Sequence, residues 1–438
     1  MEPSREAIEV GLIGLGTVGT GAARILLEKA GRLQALVGAP LKLKRIADLD
    51  LKRDRGLSLP PDLLTQDAKA ILDDPDISIV IELIGGLEPA RTFILQALEK
   101  GKHVITANKA LLAHNGAEIF GKAEEKGVDI GFEASVCGGI PVILALQQGL
   151  VANEIDHFWG IFNGTCNYIL TRMSEAGMPY DQALREAQEK GFAEADPSLD
   201  VEGLDTVHKL SILMHLAYGA PLDPNAVFVQ GITQVSASDI VFAREFGYVI
   251  KLLAICRKEG RTLEARVHPT MIPKDHILAN VGGVNNALFL RGDAVGDILL
   301  YGRGAGMMPT GSAVISDLVD LARNIRKGIS RRIPFYPSTR DFHAQGLSFK
   351  PLSEVVTRYY FRFSALDRPG VLSAISGILG NHQISVAAVI QKGREIEGSV
   401  PIVMMTHEAR ESAVKQAVEE IDHLPVITDR TVIIRVEN

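Results

Sequence analysis

The sequence predicts an α/β protein in three parts: a parallel doubly wound sheet, an α+β middle, and a small βαββαβ module at the end. Three observations predict it. A glycine cluster near the start separates an apolar strand from an apolar helix; strand-like and helix-like runs then alternate; and a proline-rich stretch precedes a change of pattern. At 438 residues the chain is too long for one core, so two or three domains are expected. The net charge of −7 argues against a nucleic-acid or anionic-membrane surface. There is no run of about 18 apolar residues. The start, Met-Glu-Pro-Ser-Arg-Glu, lacks a signal-peptide core. Cys137, Cys166 and Cys256 are far apart and have no metal-ligand spacing, so a reduced, cytoplasmic protein is expected.

The first element is the strand Ile8–Ile13, followed by Gly14-Leu15-Gly16-Thr17-Val18-Gly19 and an apolar helix to Leu27. This is GxGxxG between a strand and a helix, the context that a dinucleotide site requires. Gly14 permits the tight turn, Gly16 lets the backbone approach a pyrophosphate, and Gly19 lets the helix pack on its strand. The free N–H groups at the helix start then face the phosphates. Residues 1–133 are therefore read as a Rossmann-like NAD(P)-binding domain.

A second strand, Leu43–Ala47, ends at Asp48, whose carboxylate suits a ribose 2′-hydroxyl and hence NAD. Lys52, Arg53 and Arg55 follow and suit a 2′-phosphate, so NAD and NADP both stand. Strands Ile77–Ile84 and His103–Thr106 come next, the latter running into Ala107-Asn108-Lys109. Ligands sit beyond the carboxyl ends of strands in such sheets, which makes Lys109 a candidate site residue rather than a solvated lysine.

The middle, 134–307, is read as the catalytic, substrate and dimerisation domain. Glu133 to Pro141 is a strand-end loop entering an apolar helix, and a tight connection that needs glycines explains it locally. Asn163-Gly164-Thr165-Cys166-Asn167 follows a strand over 156–162; its polar groups either line a pocket or cap a helix. Cys166 has no partner in sequence that makes it a nucleophile.

The segment from Gly191 to Lys209 is the most informative. It is densely acidic and leads into a helix over 203–219 that is apolar almost all round and should be buried. Asp205 and Lys209 share one stripe of that helix, a turn apart. They form either a structural ion pair or a polar small-molecule site, and the second is favoured. His208, His215 and His268 are scattered and read as packed or surface histidines.

Tyr301 to Ser312 is a glycine-rich turn before a helix over 313–325, a second approach of backbone to an anionic or cofactor group. This returning chain, 308–333, is expected to pack back onto the first domain. Residues 334–354 read as a linker. From 355 to 438 the order is strand, helix, strand, strand, helix, strand, which is ferredoxin-like. Its turn, Asp367-Arg368-Pro369-Gly370-Val371, with Asn381 and Ile384 after the helix, resembles the ACT family of small-molecule-sensing domains. Such modules bind amino acids where two of them pair; a plain dimerisation appendage is the alternative.

Ala187, Gly191, Phe192, Asp196-Pro197, Asp200, Gly203, Asp205 and Lys209 match the signature of homoserine dehydrogenase, and the resemblance spans nearly the whole chain. With the ACT-like module, and no kinase segment ahead of the dinucleotide fold, the sequence is similar to the monofunctional bacterial type. The resemblance implies reversible NAD(P)H-dependent reduction of L-aspartate 4-semialdehyde to L-homoserine, in threonine, methionine and isoleucine biosynthesis. It implies Lys209 as proton donor, assisted by Lys109, with Glu194 and Asp205 binding the substrate's amino end. Gly191 and Gly306 would approach the cofactor, and Glu133 with the carbonyls of Val136, Gly138 and Ile140 would hold a monovalent cation, Na⁺. L-Threonine is the implied effector, and a homodimer or homotetramer the implied assembly.

The chemistry agrees with these roles. Hydride delivered to an aldehyde carbon leaves negative charge on oxygen, which a nearby ammonium stabilises and protonates. Two other readings remain at this point: a Rossmann oxidoreductase acting on another semialdehyde or amino acid, and a sensor that binds without turnover. The matched signature counts against the first, and the intact lysine and acidic residues count against the second. A zinc alcohol dehydrogenase fails for want of Cys and His ligands.

Overall fold

The structure, a computed structural model, describes residues 7–333, 346–391 and 398–437. They form two compact units: Met1–Phe158 with Asp205–Asn225 and Asn285–Gly346, and Trp159–Leu204 with Ala226–Val284 and Leu347–Asn438. These units are not continuous along the chain, because residues 205–225, with nearly all of the buried helix at 204–218, and residues 285–346 join the first unit.

The strands, in chain order, begin with β1 (Ile8–Ile13), β2 (Leu41–Ala47), β3 (Leu64–Thr65), β4 (Ile77–Glu82), β5 (His103–Thr106) and β6 (Ile130–Gly131). They make one sheet in the order β3-β2-β1-β4-β5-β6, and every pair in it is parallel. Apolar residues on both faces of β1 and β4 suit a sheet covered on two sides. The fingerprint behaves as its glycines require. Gly14 has φ +97°, and a Cβ on Gly19 would overlap the Gly14 carbonyl oxygen.

The helix Met307–Arg326 packs on the helix Thr17–Glu28 of the same unit. Val314, Leu318 and Leu321 share one apolar cluster with Val10, Leu12 and Leu26. It starts six residues before the Ala313 expected from the sequence, since a proline such as Pro309 is tolerated in a first turn.

The chain continues through β7 (Ile155–Ile161), β8 (Phe228–Val229), β9 (Tyr248–Glu259), β10 (Thr262–Pro273), β11 (Asn285–Gly292) and β12 (Gly296–Arg303). In the first unit β11 and β12 form an antiparallel hairpin. In the second unit β9 and β10 do the same over their full length.

The remaining strands are β13 (Ser348–Phe349), β14 (Val356–Leu366), β15 (Val386–Gln391), β16 (Ser399–Thr406), β17 (Ala409–Arg410) and β18 (Ile427–Val436). With helices Val371–Asn381 and Glu411–Asp422 they give the βαββαβ module, in strand order β18-β14-β16-β15. Its core holds Tyr359, Phe361 and Phe363 from one face of β14. The opposite face carries Arg358, Tyr360 and Arg362. Tyr360 Oη donates to Asp239 at 2.8 Å, Arg362 Nε reaches the same carboxylate at 2.7 Å, and Arg358 reaches the Tyr248 hydroxyl at 3.1 Å.

The module is also joined to β10 by a parallel pairing through β18. Residues 334–345 of the expected linker lie outside the described residues. Its far end is structured, because β13 pairs with the start of β10 and so satisfies its backbone groups.

Candidate active site

The fingerprint loop is held by Asp48 from the end of β2. Leu15 N–H donates to Asp48 Oδ2 at 2.6 Å, and Arg55 bridges Asp48 Oδ1 at 2.9 Å and the Leu15 carbonyl at 2.7 Å. Asp48 is therefore part of the loop's own bonding. Thr17 and Val18 open the helix, where first-turn N–H groups have no partner within the helix. Lys52 is exposed.

The helix Leu204–Tyr218 is buried along most of its length, and Asp205 and Lys209 with it, at 6% and 8% exposure. Their i,i+4 spacing brings Lys209 Nζ to 2.6 Å from Asp205 Oδ2. Lys109, first residue of the helix Lys109–Lys126, places its Nζ 3.1 Å from Asp205 Oδ1. Two ammoniums thus share one carboxylate, which leaves one surplus positive charge beside a half-exposed lysine. That suits a developing oxyanion better than a closed structural pair does.

Three further members of this region escape a motif search. Asn108 caps the Lys109 helix by accepting from Leu111 N–H at 3.1 Å. Thr106 and Glu82 stand behind it, joined at 2.7 Å. A glutamate inside the apolar strand Ile77–Glu82 was the available signal.

Glu133 is 5% exposed, and its two oxygens accept from Ile143 and Leu144 N–H at 2.9 and 2.7 Å. Burial pushes its carboxyl up to about 7, with only backbone N–H groups opposing the shift. Cys137 and Gly138 both have positive φ, which turns the chain sharply between Val136 and Ile140. The Ile140 carbonyl accepts from Val142 N–H at 2.8 Å. Glu133 and the carbonyls of Val136, Gly138 and Ile140 offer oxygen atoms alone, the donor type that a hard cation takes. Gly306, with φ +125°, caps the helix Met307–Arg326 in the same unit.

Gly191 and Glu194 belong to the second unit, both on exposed backbone after the helix Tyr180–Glu189. Nearby, Asp200 gathers that unit's polar loop. Its carboxylate accepts from Asn163 Nδ2 at 2.7 Å and from Thr165 Oγ1 at 2.9 Å. Asn163 also caps the helix Gly164–Ala176 through Cys166 N–H. Of the two readings of this loop, the cap is the one seen. Cys166 is fully buried, with Sγ against the Asp200 carbonyl.

The scattered histidines sit in packed settings. His268 is buried between Arg266 and Thr270, and desolvation, aided by the neighbouring Arg435 and Arg266, holds its pKa far down. His215 Nδ1 meets the Ala220 carbonyl at 2.9 Å, and His208 meets His114 edge-on.

In the terminal module, Asp367 and Gly370 lie before the helix Val371–Asn381 and Asn381 ends it. An eleven-residue helix spans roughly 16 Å at 1.5 Å per residue, so the two ends cannot meet one small ligand within a module. Ile384 is buried in the module's core at 3% exposure.

Comparison with known proteins agrees with this architecture. Residues 14–133 match the homoserine dehydrogenase NAD-binding domain, 141–319 the homoserine dehydrogenase family, and 359–425 the ACT domain. Homoserine dehydrogenases of Synechocystis and Neisseria gonorrhoeae are 44% and 41% identical, each over 98% of this chain and 99% of the relative. The crystal structure of a homoserine dehydrogenase from Thiobacillus denitrificans is similar at TM-score 0.91 and 43% identity, covering 99% of both chains. A hyperthermophilic archaeal homoserine dehydrogenase in complex with NADPH matches 72% of this chain and 98% of its own, at TM-score 0.62 and 27% identity. Similarity of this extent across both catalytic regions places the chain in the homoserine dehydrogenase family, as an NAD(P)-dependent oxidoreductase with a C-terminal ACT domain.

Proposed function

We propose that Lys209 is the proton donor in the reversible reduction of L-aspartate 4-semialdehyde to L-homoserine, and that Lys109 assists at the same oxygen. The observation that carries this is Asp205 between two lysines, at 2.6 Å from Lys209 and 3.1 Å from Lys109. A reduced nicotinamide, when bound, supplies the hydride to the aldehyde carbon. The ammonium stabilises the resulting alkoxide and passes it a proton, and Asp205 holds the ammonium in place. Glu194 and Asp205 bind the substrate's amino group. The fingerprint Gly14–Gly19, with Gly191 and Gly306, receives the cofactor. Glu133 and the carbonyls of Val136, Gly138 and Ile140 hold Na⁺.

Engagement of Asp48 by Leu15 and Arg55 supports NADP over NAD, because the carboxylate that would take a ribose hydroxyl already has donors. The functional ranges remain those of the sequence: cofactor binding in 1–133 with 308–333, catalysis in 134–307, a linker in 334–354, and regulation in 355–438. L-Threonine is the proposed inhibitor, bound between two ACT modules by Asp367 and Gly370 of one and Asn381 and the Ile384 backbone of the other. The separation of those residues along one helix supports a homodimer or homotetramer. The absence of a long apolar helix among the described residues is compatible with a cytoplasmic enzyme in threonine, methionine and isoleucine synthesis.

The test is absorbance at 340 nm with L-homoserine and NAD⁺ or NADP⁺, with and without L-threonine. Faster reduction of NADP⁺ and loss of rate with threonine are expected. A rate indifferent to threonine would leave the module an assembly element.

A further inference from the structure

We infer that Glu82 is a positioning residue for hydride transfer: its buried carboxylate clamps the two loops that follow β4 and β5 into one rigid seat for Lys109. Glu82 is fully buried at the carboxyl end of β4. One oxygen accepts from Ile84 N–H at 2.8 Å, which supports the turn through Gly85 and Gly86, both at positive φ. The other accepts from Thr106 Oγ1 at 2.7 Å, across the β4–β5 pair. Thr106 Oγ1 in turn accepts from Asn108 N–H at 3.1 Å, and Asn108 Nδ2 donates back to the Gly86 carbonyl at 2.6 Å. The circuit closes on itself and ends at Lys109, the next residue, whose Nζ is 3.1 Å from Asp205.

Burying a carboxylate with only hydrogen bonds for company is costly, and desolvation raises the Glu82 pKa accordingly. A strand that needed only packing would carry an apolar residue here. The direction of each bond shows what the carboxylate does. It accepts the Thr106 hydroxyl proton, so the hydroxyl's lone pairs are left to receive the Asn108 N–H. A glutamine at 82 would put an N–H against Thr106 and turn that relay around. Both loops lie beyond the carboxyl ends of parallel strands, where ligands bind in this kind of sheet.

The inference rests on the proposed role of Lys109, and the experiment separates the two. Oxidation of L-homoserine, unlabelled or deuterated at the carbon bearing the hydroxyl, is followed in Glu82→Gln, Thr106→Val, Thr106→Ser and Lys109→Ala. A loosened seat should lower kcat by about tenfold or more. It should also raise the deuterium isotope effect on kcat, as hydride transfer becomes more limiting. Thr106→Ser, which keeps the hydroxyl, should recover most of the rate lost in Thr106→Val. Simple loss of folded enzyme lowers the rate and leaves the isotope effect unchanged, and that result in both Glu82→Gln and Thr106→Val would overturn the inference. If Glu82→Gln does not fold, the valine and serine pair at 106 decides alone. A normal rate and isotope effect in Lys109→Ala would instead refute the role given to that lysine. A defect in Lys109→Ala without one at 82 or 106 would refute the clamp.

Discussion

Lys109 and Asp205 come from helices far apart in the chain, yet the ammonium of one lies 3.1 Å from the carboxylate of the other. Asp205 holds Lys209 from its own helix on its second oxygen, at 2.6 Å. The carboxylate therefore sets the spacing of two cations. Lys209→Ala should lower kcat by ~10²–10⁴-fold, the usual contribution of a general acid, with a smaller change in KM. Steady-state kinetics with L-homoserine would check this, and an unchanged kcat would remove Lys209 from the chemistry.

Arg55 ties Asp48 to the fingerprint loop through Leu15. Arg55→Ala leaves Asp48 Oδ1 with the Asp50 N–H alone and removes a positive charge beside it. The ratio of kcat/KM for NADP⁺ to that for NAD⁺ should then fall by about tenfold, the worth of one charge-assisted hydrogen bond. Equal effects on both cofactors would mean that Arg55 only supports the loop.

Two glycines in the first unit should respond to alanine with opposite signs. A methyl on Gly21 would overlap the Met307 carbonyl oxygen, where the two packed helices touch. Gly21→Ala should cost about 1–3 kcal/mol by overpacking. Gly31 is exposed in the helix Ala30–Val37 with open space around it, so Gly31→Ala should stabilise by roughly 0.5–1 kcal/mol. Urea unfolding of the two variants measures both.

Lys251 is buried on β9, and its ammonium donates to the Val281 carbonyl at 2.6 Å and to Asn167 Oδ1 at 3.3 Å. Desolvation lowers its pKa to about 8. The folded state then holds fewer protons than the unfolded chain between pH 8 and the ordinary lysine value of about 10.4, so this group's contribution to stability rises with pH across that window. Relative to Lys251→Met, the wild type should gain up to about 3 kcal/mol between pH 8 and pH 10.4 and show no such gain below pH 7. Parallel pH–unfolding curves for the two proteins would refute it.

The parts legible in the sequence were those whose chemistry is local. The strand Ile8–Ile13 and the fingerprint carry their own backbone logic, and Asp205 with Lys209 is a spacing rule on one helix. The six elements of the terminal module followed from period-2 and period-3.6 patterns that change at turn residues. The helix at 307–326 was read too short because a proline masks its first turn. The place of Asp48 at a strand end is legible in the sequence; its bonds to Leu15 and Arg55 depend on a loop whose path no periodicity describes.

The sequence by itself determined the class of fold, because glycine conformation, apolar periodicity and short spacings are set by neighbours along the chain, and its signature residues from Ala187 to Lys209 carried the family resemblance. Only the tertiary structure decided which distant groups share a proton acceptor or a carboxylate: Lys109 on Asp205, Thr106 on Glu82, Arg362 on Asp239. Those pairings depend on strand order and helix packing, which bring residues within about 3 Å whatever their separation in sequence, and buried polar groups are stable only where that geometry satisfies them.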